Sequence, residues 1–284
     1  MMLEHTHAAV SSEMQAYRDL CRHLEQAKVP VDIRMAPIGS GIALQSPLSG
    51  RSVVLNRVLG WGVGQPARQT ELDPIARAYA ALGKPWGVEL SPSAEPPEIT
   101  NWLRAHRARR ALATAIWSYD FDNTPLPSPL RLDNGLDNGL RVRPWTPDDG
   151  DDWAELLTGV FGVDPQVAAL LATLPDTPAW RCWLAMDGHR IAGAGLLFLG
   201  ENRLGWVGWG ATHPEYRGLG LHKAIMTARL RDAAEQGCRL VTSETAVGTT
   251  ARPDPSYRNL ERLGFRPVHT RHTYIAMPRP RQAG

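Results

Sequence analysis

The sequence predicts an α/β chain built as two consecutive units, each a mixed central sheet with helices packed on it. Three observations carry this. Strand-like runs alternate with amphipathic helices along the whole length, a Pro- and Asn-Gly-rich stretch interrupts that alternation near the middle, and the two sides of the interruption repeat a short motif in the same order of elements. A length of 284 residues suits two domains of ordinary size. With 43% hydrophobic and 21% charged residues, the chain can fill packed cores and is not compositionally disordered.

The first unit, residues 1–125, opens with an expected helix from about Ser11 to Ala27, where Val10, Met14, Tyr17, Leu20, Cys21 and Leu24 recur at helical spacing. Short strands are expected at Val31–Met35, Gly41–Gln45 and Val53–Gly62. A helix over Glu71–Ala81 has Thr70 as its expected N-cap, with Asp73 three residues on. A strand at Val88–Leu90, a helix at Pro97–Arg107 and a strand at Ala111–Tyr119 complete the unit. Pro125-Leu-Pro-Ser-Pro129 and the repeated Asn-Gly pairs up to Gly139 sustain neither helix nor central strand, so 126–139 is read as a linker.

The second unit, 140–284, restarts with a strand at Leu140–Trp145. Thr146 caps a helix to Phe161, with Asp148, Asp149, Asp151 and Asp152 read as a solvated helix start. A short helix at Pro165–Leu174 precedes three strands, Trp180–Met186, Arg190–Leu199 and Leu204–Ala211, joined by tight turns. Then come a long helix (Gly220–Gln236), a strand (Leu240–Glu244), a helix (Ser256–Leu263) and a last strand (Arg266–Ala276). The repeat pairs Gly60-Trp-Gly-Val-Gly-Gln-Pro66 with Gly208-Trp-Gly-Ala-Thr-His-Pro214, and Asn101-Trp-Leu-Arg104 with Asn259-Leu-Glu-Arg262.

Composition also excludes. The net charge is +2, and neither half is a cationic module, so nucleic-acid coating is not the expected role. The longest apolar run, Ile191 to Gly200, is half of the roughly 20 residues a membrane span needs, so no membrane association is expected. No secretory h-region follows the start. Cys21, Cys182 and Cys238 lack ligand spacing and read as reduced thiols of a cytoplasmic protein without structural zinc.

Chemistry is concentrated in His213-Pro-Glu-Tyr-Arg217-Gly-Leu-Gly-Leu-His222-Lys223. Glycines at 218 and 220 permit a tight turn and close ligand approach, and the N–H groups opening the following helix make an anion site beside Arg217 and Lys223. The same turn also fits an ordinary strand–helix junction. This segment resembles the acyl-CoA-binding loop of the GNAT (Gcn5-related) N-acetyltransferases, with Arg217 and Gly220 at matching positions and His222 where glycine or alanine is usual. The Asn259 to Phe265 helix-to-strand ending is similar to the family's last motif. In the first half the aligned loop reads Gln69-Thr-Glu71-Leu-Asp73-Pro74, with carboxylates where phosphates would lie. The chain is thus identified as resembling a tandem GNAT protein whose N-terminal unit is degenerate.

The resemblance implies acetyl-CoA, or another acyl-CoA, as co-substrate and a small-molecule amine as acceptor, with no metal. It places backbone groups of Ala211, Thr212 and His213 along the pantetheine arm, and Arg217, Gly218, Leu219, Gly220, Leu221, His222 and Lys223 around the pyrophosphate. Ser256 and Asn259 are candidates for hydrogen bonds to the arm or for helix capping. The family's glutamate on the acyl-binding strand and its tyrosine before Gly-Phe are missing here. Glu244, at the end of the neighbouring strand, is the substitute chosen as base or amine anchor. Tyr257 is a candidate acid for the leaving thiolate or a residue closing the helix on the core, and His213 a third candidate or a turn residue. His222 is expected to crowd the phosphates. Trp206 and Trp209, an odd number apart, are expected on opposite faces of the sheet. A longer acyl-CoA or an aminoacyl-tRNA as donor, and a non-catalytic ligand-binding role, stand as the other readings, for a monomer or homodimer.

Overall fold

The first helix begins well before Ser11, and its buried apolar stripe runs from Ala9 to Leu24. In the computed structural model, which describes residues 2–26, 32–48, 53–92, 97–129, 139–248 and 254–277, α1 spans Met2–Gln26. It buries Ala9, Val10, Ala16, Tyr17, Leu20, Cys21 and Leu24, one face at three- and four-residue spacing. The first half continues with β1 (Arg34–Ile38), β2 (Gly41–Gln45), β3 (Arg57–Leu59), α2 (Gln69–Leu82), β4 (Trp86–Leu90), α3 (Pro97–Ala105) and β5 (Arg109–Asp120). The strand expected over 53–62 contracts to β3. Asn56 N–H closes a turn on Val53 O, and its side chain both accepts from Ser46 N–H and donates to Ser46 O. Thr70 is not the cap of α2. The N-cap is Arg68, and the carboxylate of Glu71 accepts the Arg68 backbone N–H.

The second half comprises β6 (Leu140–Pro144), α4 (Gly150–Phe161), α5 (Pro165–Leu171), β7 (Trp180–Asp187), β8 (Arg190–Leu199), β9 (Leu204–Thr212), α6 (Leu221–Glu235), β10 (Leu240–Ala246), α7 (Pro255–Arg262) and β11 (Arg266–Ala276). Thr146 caps a single 3₁₀ turn, Pro147–Asp149, that leads into α4. Asp149 is not part of a solvated helix start. It is buried, holds both terminal nitrogens of Arg143 at 2.6–2.7 Å, and accepts from the backbone and hydroxyl of Thr146. Of the expected linker, residues 130–138 lie outside the described residues.

All eleven strands join one sheet in the order β1-β2-β3-β4-β11-β5-β10-β9-β8-β7-β6. The final strand of each half pairs in the other half: β5 runs antiparallel to β10, β11 runs antiparallel to β4, and the two pair with each other at the centre. Outward from that pair the halves mirror one another. β4 is parallel to β3 and β10 is parallel to β9, followed on each side by antiparallel neighbours. The repeated motif therefore falls at the end of equivalent strands, β3 and β9. α1, from the first half, lies across β9 and β10 as well as β5 and β11, and its Ser12 hydroxyl meets that of Thr242 on β10 at 2.6 Å.

A buried charge cluster sits under α1 where the halves meet. Arg271 of β11 donates to Glu13 of α1 at 2.6 and 3.2 Å and to Glu244 of β10. Its Nε lies 2.8 Å from a Glu89 oxygen of β4, close enough for an ion pair although not aligned for a hydrogen bond. Arg57 of β3 donates to Glu89 at 2.6 Å and to the Tyr17 hydroxyl at 2.6 Å, and is 3.5 Å from Glu13. Removing one member of such a set leaves the others buried and uncompensated. Arg271→Met is expected to cost about 3–5 kcal/mol, read as a lower urea midpoint at unchanged m. A midpoint like the wild type's would mean that water reaches these carboxylates.

Candidate active site

The site begins where two parallel strands part. β9 and β10 pair from Leu204↔Leu240 to Val207↔Ser243, and no further. Just beyond, the β8–β9 register shifts between Ala194 and Leu196, and Trp209 adopts φ 52°. That is a β-bulge, an extra residue that bends its strand. The gap it opens is a cavity of about 280 Å³ bordered by Gly208, Gly210, His222, Arg229, Glu244 and Asp254. The bulge also overturns the expected alternation. Trp206 and Trp209 do not face opposite sides of the sheet but lie in one apolar cluster and line the same cavity.

In the loop between β9 and α6, Gly218 and Gly220 have φ of 84° and 81°, the left-handed region that side chains rarely adopt, and a Cβ on either would meet nothing within 4 Å. Gly220, expected as the first residue of α6, is instead its N-cap. The first-turn N–H groups of Leu221, His222 and Lys223 have no intrahelical acceptor. With exposed Arg217 beside them, they fit a pyrophosphate. Leu219 and Leu221 anchor the loop against Tyr216 and the core.

His222 does not turn to the phosphates. Its ring lines the cavity near Gly210, and its Nδ1 is 3.4 Å from the Asn259 amide. Burial, then the charge of Arg229, pushes its pKa down to about 4, so it is neutral. Ser256 lines the cavity, and its backbone N–H is accepted by Asp254, which caps α7. Tyr257 is half-buried outside the cavity, edge-on to Trp117 at 4.6 Å. His213 also lies elsewhere: Nδ1 accepts from the Glu215 N–H, Nε2 is 3.1 Å from Arg190, and its own N–H is taken by Ala192 O. It faces a separate hollow of about 550 Å³ shared with Asp152, Glu155 and His189. Ala211 and Thr212 are paired with Ala194 and Gly193 of β8.

Glu244 is the acid at the cavity wall, with 23% of its side chain exposed. Burial raises its pKa to about 7, helped by the charge of Glu13 and opposed by Arg271 and Arg57. For Glu13, burial is outweighed by Arg271 and Arg57 and by hydrogen bonds from Arg271 and Glu244, and its pKa is lowered. Of the pair, Glu244 is the carboxyl that takes up a proton first as pH falls.

Several contributors were not legible as site residues. Tyr17, Val54 and Phe161 reach the cavity from α1, the turn before β3 and the end of α4. Arg229 of α6 is buried, donates to the carbonyls of Leu196 and Gly208, and lies so close to Gly195 that a Cβ there would come within 2.7 Å of the guanidinium. A charge on the buried face of a helix, between Met226 and Leu230, was the available signal.

Residues 150–265 match the family model for the Acetyltransferase (GNAT) family. Those residues carry the signature of a GNAT acetyltransferase domain. The GNAT family assignment supports acyl-CoA-dependent acyltransferase activity, which makes the domain a transferase. In fold the whole chain is similar to a GCN5-related N-acetyltransferase from Kribbella flavida (TM-score 0.63, 18% identity, 95% of each chain covered). It is also similar to one from Sphaerobacter thermophilus (0.60, 15%, 97% of this chain and 94% of that one). A third is a tandem GNAT protein from the clavulanic acid biosynthesis pathway (0.56, 16%, 98% and 96%). No curated protein matches the sequence. These three structures, one of them a tandem, share the fold of nearly the whole chain.

Infrared difference spectra across pH should show a protonated carboxyl band that disappears as pH rises through about 7 and is absent in Glu244→Gln. A band that persists unchanged in Glu244→Gln would place the proton on another acid.

Proposed function

We propose that the second unit, 140–284, transfers an acyl group, acetyl in the first instance, from CoA to a small-molecule amine. The first unit, 1–125, keeps the scaffold without the cofactor site, and 126–139 joins them. The observation that carries this reading is a carboxyl, Glu244, in the wall of a strand gap that His222 of the Arg217–Lys223 loop also lines. In the first unit the corresponding loop is occupied by its own side chains. Glu71 accepts the Trp61 indole N–H at 2.7 Å and Asp73 that of Trp102 at 2.8 Å, leaving carboxylates where an anion would have to bind. Three buried free cysteines suit a reducing cytoplasm.

Bound acetyl-CoA supplies an electrophilic thioester carbonyl. Glu244, once deprotonated, takes a proton from the acceptor ammonium. The freed nitrogen lone pair forms the C–N bond as the C–S bond breaks, and the second proton that nitrogen sheds on becoming an amide passes through water to the leaving thiolate. The backbone of Gly208 to Gly210 borders the gap, and an N–H there would polarise the carbonyl. Because the base is the ionised form, kcat/KM should climb with pH through about 7. Glu244→Gln should lower it by about 10²–10⁴ and flatten the profile.

Calorimetric titration of acetyl-CoA tests the reading. One site per chain is expected, lost in Gly220→Glu and kept in a Glu71→Gly/Asp73→Gly double variant. Absence of heat and of any thermal shift in the wild type would overturn it.

A further inference from the structure

The acceptor side of the gap has a definite chemistry. Tyr17 and Trp206 stand 5.9 Å apart between ring centroids, and Phe161 meets Trp209 edge-on at 5.5 Å. Val54 fills the space beside them. The polar end of Tyr17 is turned inward, where its hydroxyl accepts from Arg57, so its ring is what the cavity meets. Phe161 is 38% exposed at the entrance. Among the described lining residues the one guanidinium, Arg229, is 1% exposed and committed to the carbonyls of Leu196 and Gly208. His222 is neutral. An acceptor carboxylate would find no free cation there to replace water, and would face the acids Glu244 and Asp254. An ammonium, by contrast, meets ring faces that attract cations and the carboxyl of Glu244. The volume, about 280 Å³ and shared with the acyl arm, admits a small molecule only.

We propose that the acceptor is a small hydrophobic primary amine, an arylalkylamine in chemical class, whose ring lies against Tyr17, Phe161, Trp206 and Trp209 while its nitrogen sits at Glu244. This rests on the acyl-transfer reading above and specifies its substrate. Both halves of the chain build the pocket, since Tyr17 and Val54 come from the first and the other rings from the second. Acceptor choice is therefore a property of the joined chain.

The test is release of CoA thiol from acetyl-CoA by the full chain, with 2-phenylethylamine, spermidine, kanamycin and lysine as separate acceptors. The expected result is preference for 2-phenylethylamine, with its KM raised about tenfold in Trp209→Ala and in the more exposed Phe161→Ala. Phe161→Leu should recover part of the loss, and the calorimetric Kd for acetyl-CoA should stay within about twofold in Phe161→Ala. That last readout separates a specificity wall from a general loss of fold. Preferred turnover of spermidine, kanamycin or lysine, or acetyl-CoA binding with no transfer to 2-phenylethylamine, overturns this proposal and leaves CoA binding intact. Failure to bind acetyl-CoA at all overturns the acyl-transfer reading together with it.

Discussion

Two guanidiniums and three carboxyls meet beneath α1, and the rest of the molecule is arranged so that they can. Glu13 comes from α1, Arg57 from β3, Glu89 from β4, Glu244 from β10 and Arg271 from β11. Charge balance needs one proton, and the environment assigns it to Glu244. Buried ion pairs are weak sources of net stability, because desolvation offsets most of the Coulombic gain. They penalise wrong arrangements far more than they reward the right one. Moving β11 out of its place between β4 and β5 would strand Arg271 and leave Glu13 and Glu89 facing each other. Strand exchange and the charge cluster therefore require one another, and Glu244 obtains its unusual proton affinity from the same requirement.

The cleft depends on a second device. Parallel strands have no intrinsic reason to part after four paired residues, and here the parting is produced by the bulge at Trp209. A non-glycine residue at φ 52° carries strain of about 1–3 kcal/mol, and surrounding structure must hold it. Arg229 contributes by donating to Gly208 O, the carbonyl just before the bulge, and the absence of a side chain at Gly195 makes room for its guanidinium. Burial lowers the pKa of Arg229 to about 10, still well above neutrality, so the cation persists without a carboxylate. It also helps keep His222 neutral beside the gap.

One motif has two fates in the two halves. In Gly60-Trp61-Gly62 the indole is buried in the first-half core and donates to Glu71, whereas in Gly208-Trp209-Gly210 it faces the cavity. In the first half the carboxylate of Glu71 gives Trp61 a hydrogen-bond partner, and with it a structural place. The first half covers the second-half sheet with α1, and Tyr17 and Val54 line the cavity.

What the sequence by itself determined is what depends on neighbours along the chain. The amphipathic stripe of α1, the left-handed glycines 218 and 220 opening α6, and the repeat that places β3 and β9 in equivalent positions are all set by local spacing or local sterics, and all were legible. Glu244 was also within reach, because the end of a strand beside the loop is a local address. Tertiary structure alone decided the exchange of β5 and β11, since an alternating strand carries no label naming its partner. It alone put Trp206 and Trp209 on one side, because a bulge adds a residue that simple alternation omits. It turned His222 from the phosphates into the gap and drew Tyr257 and His213 away from it. Glu244 has its raised pKa from burial first and then from Glu13, more than two hundred residues away, both supplied only by the folded chain. Charge interactions fall with distance in space and are blind to distance in sequence.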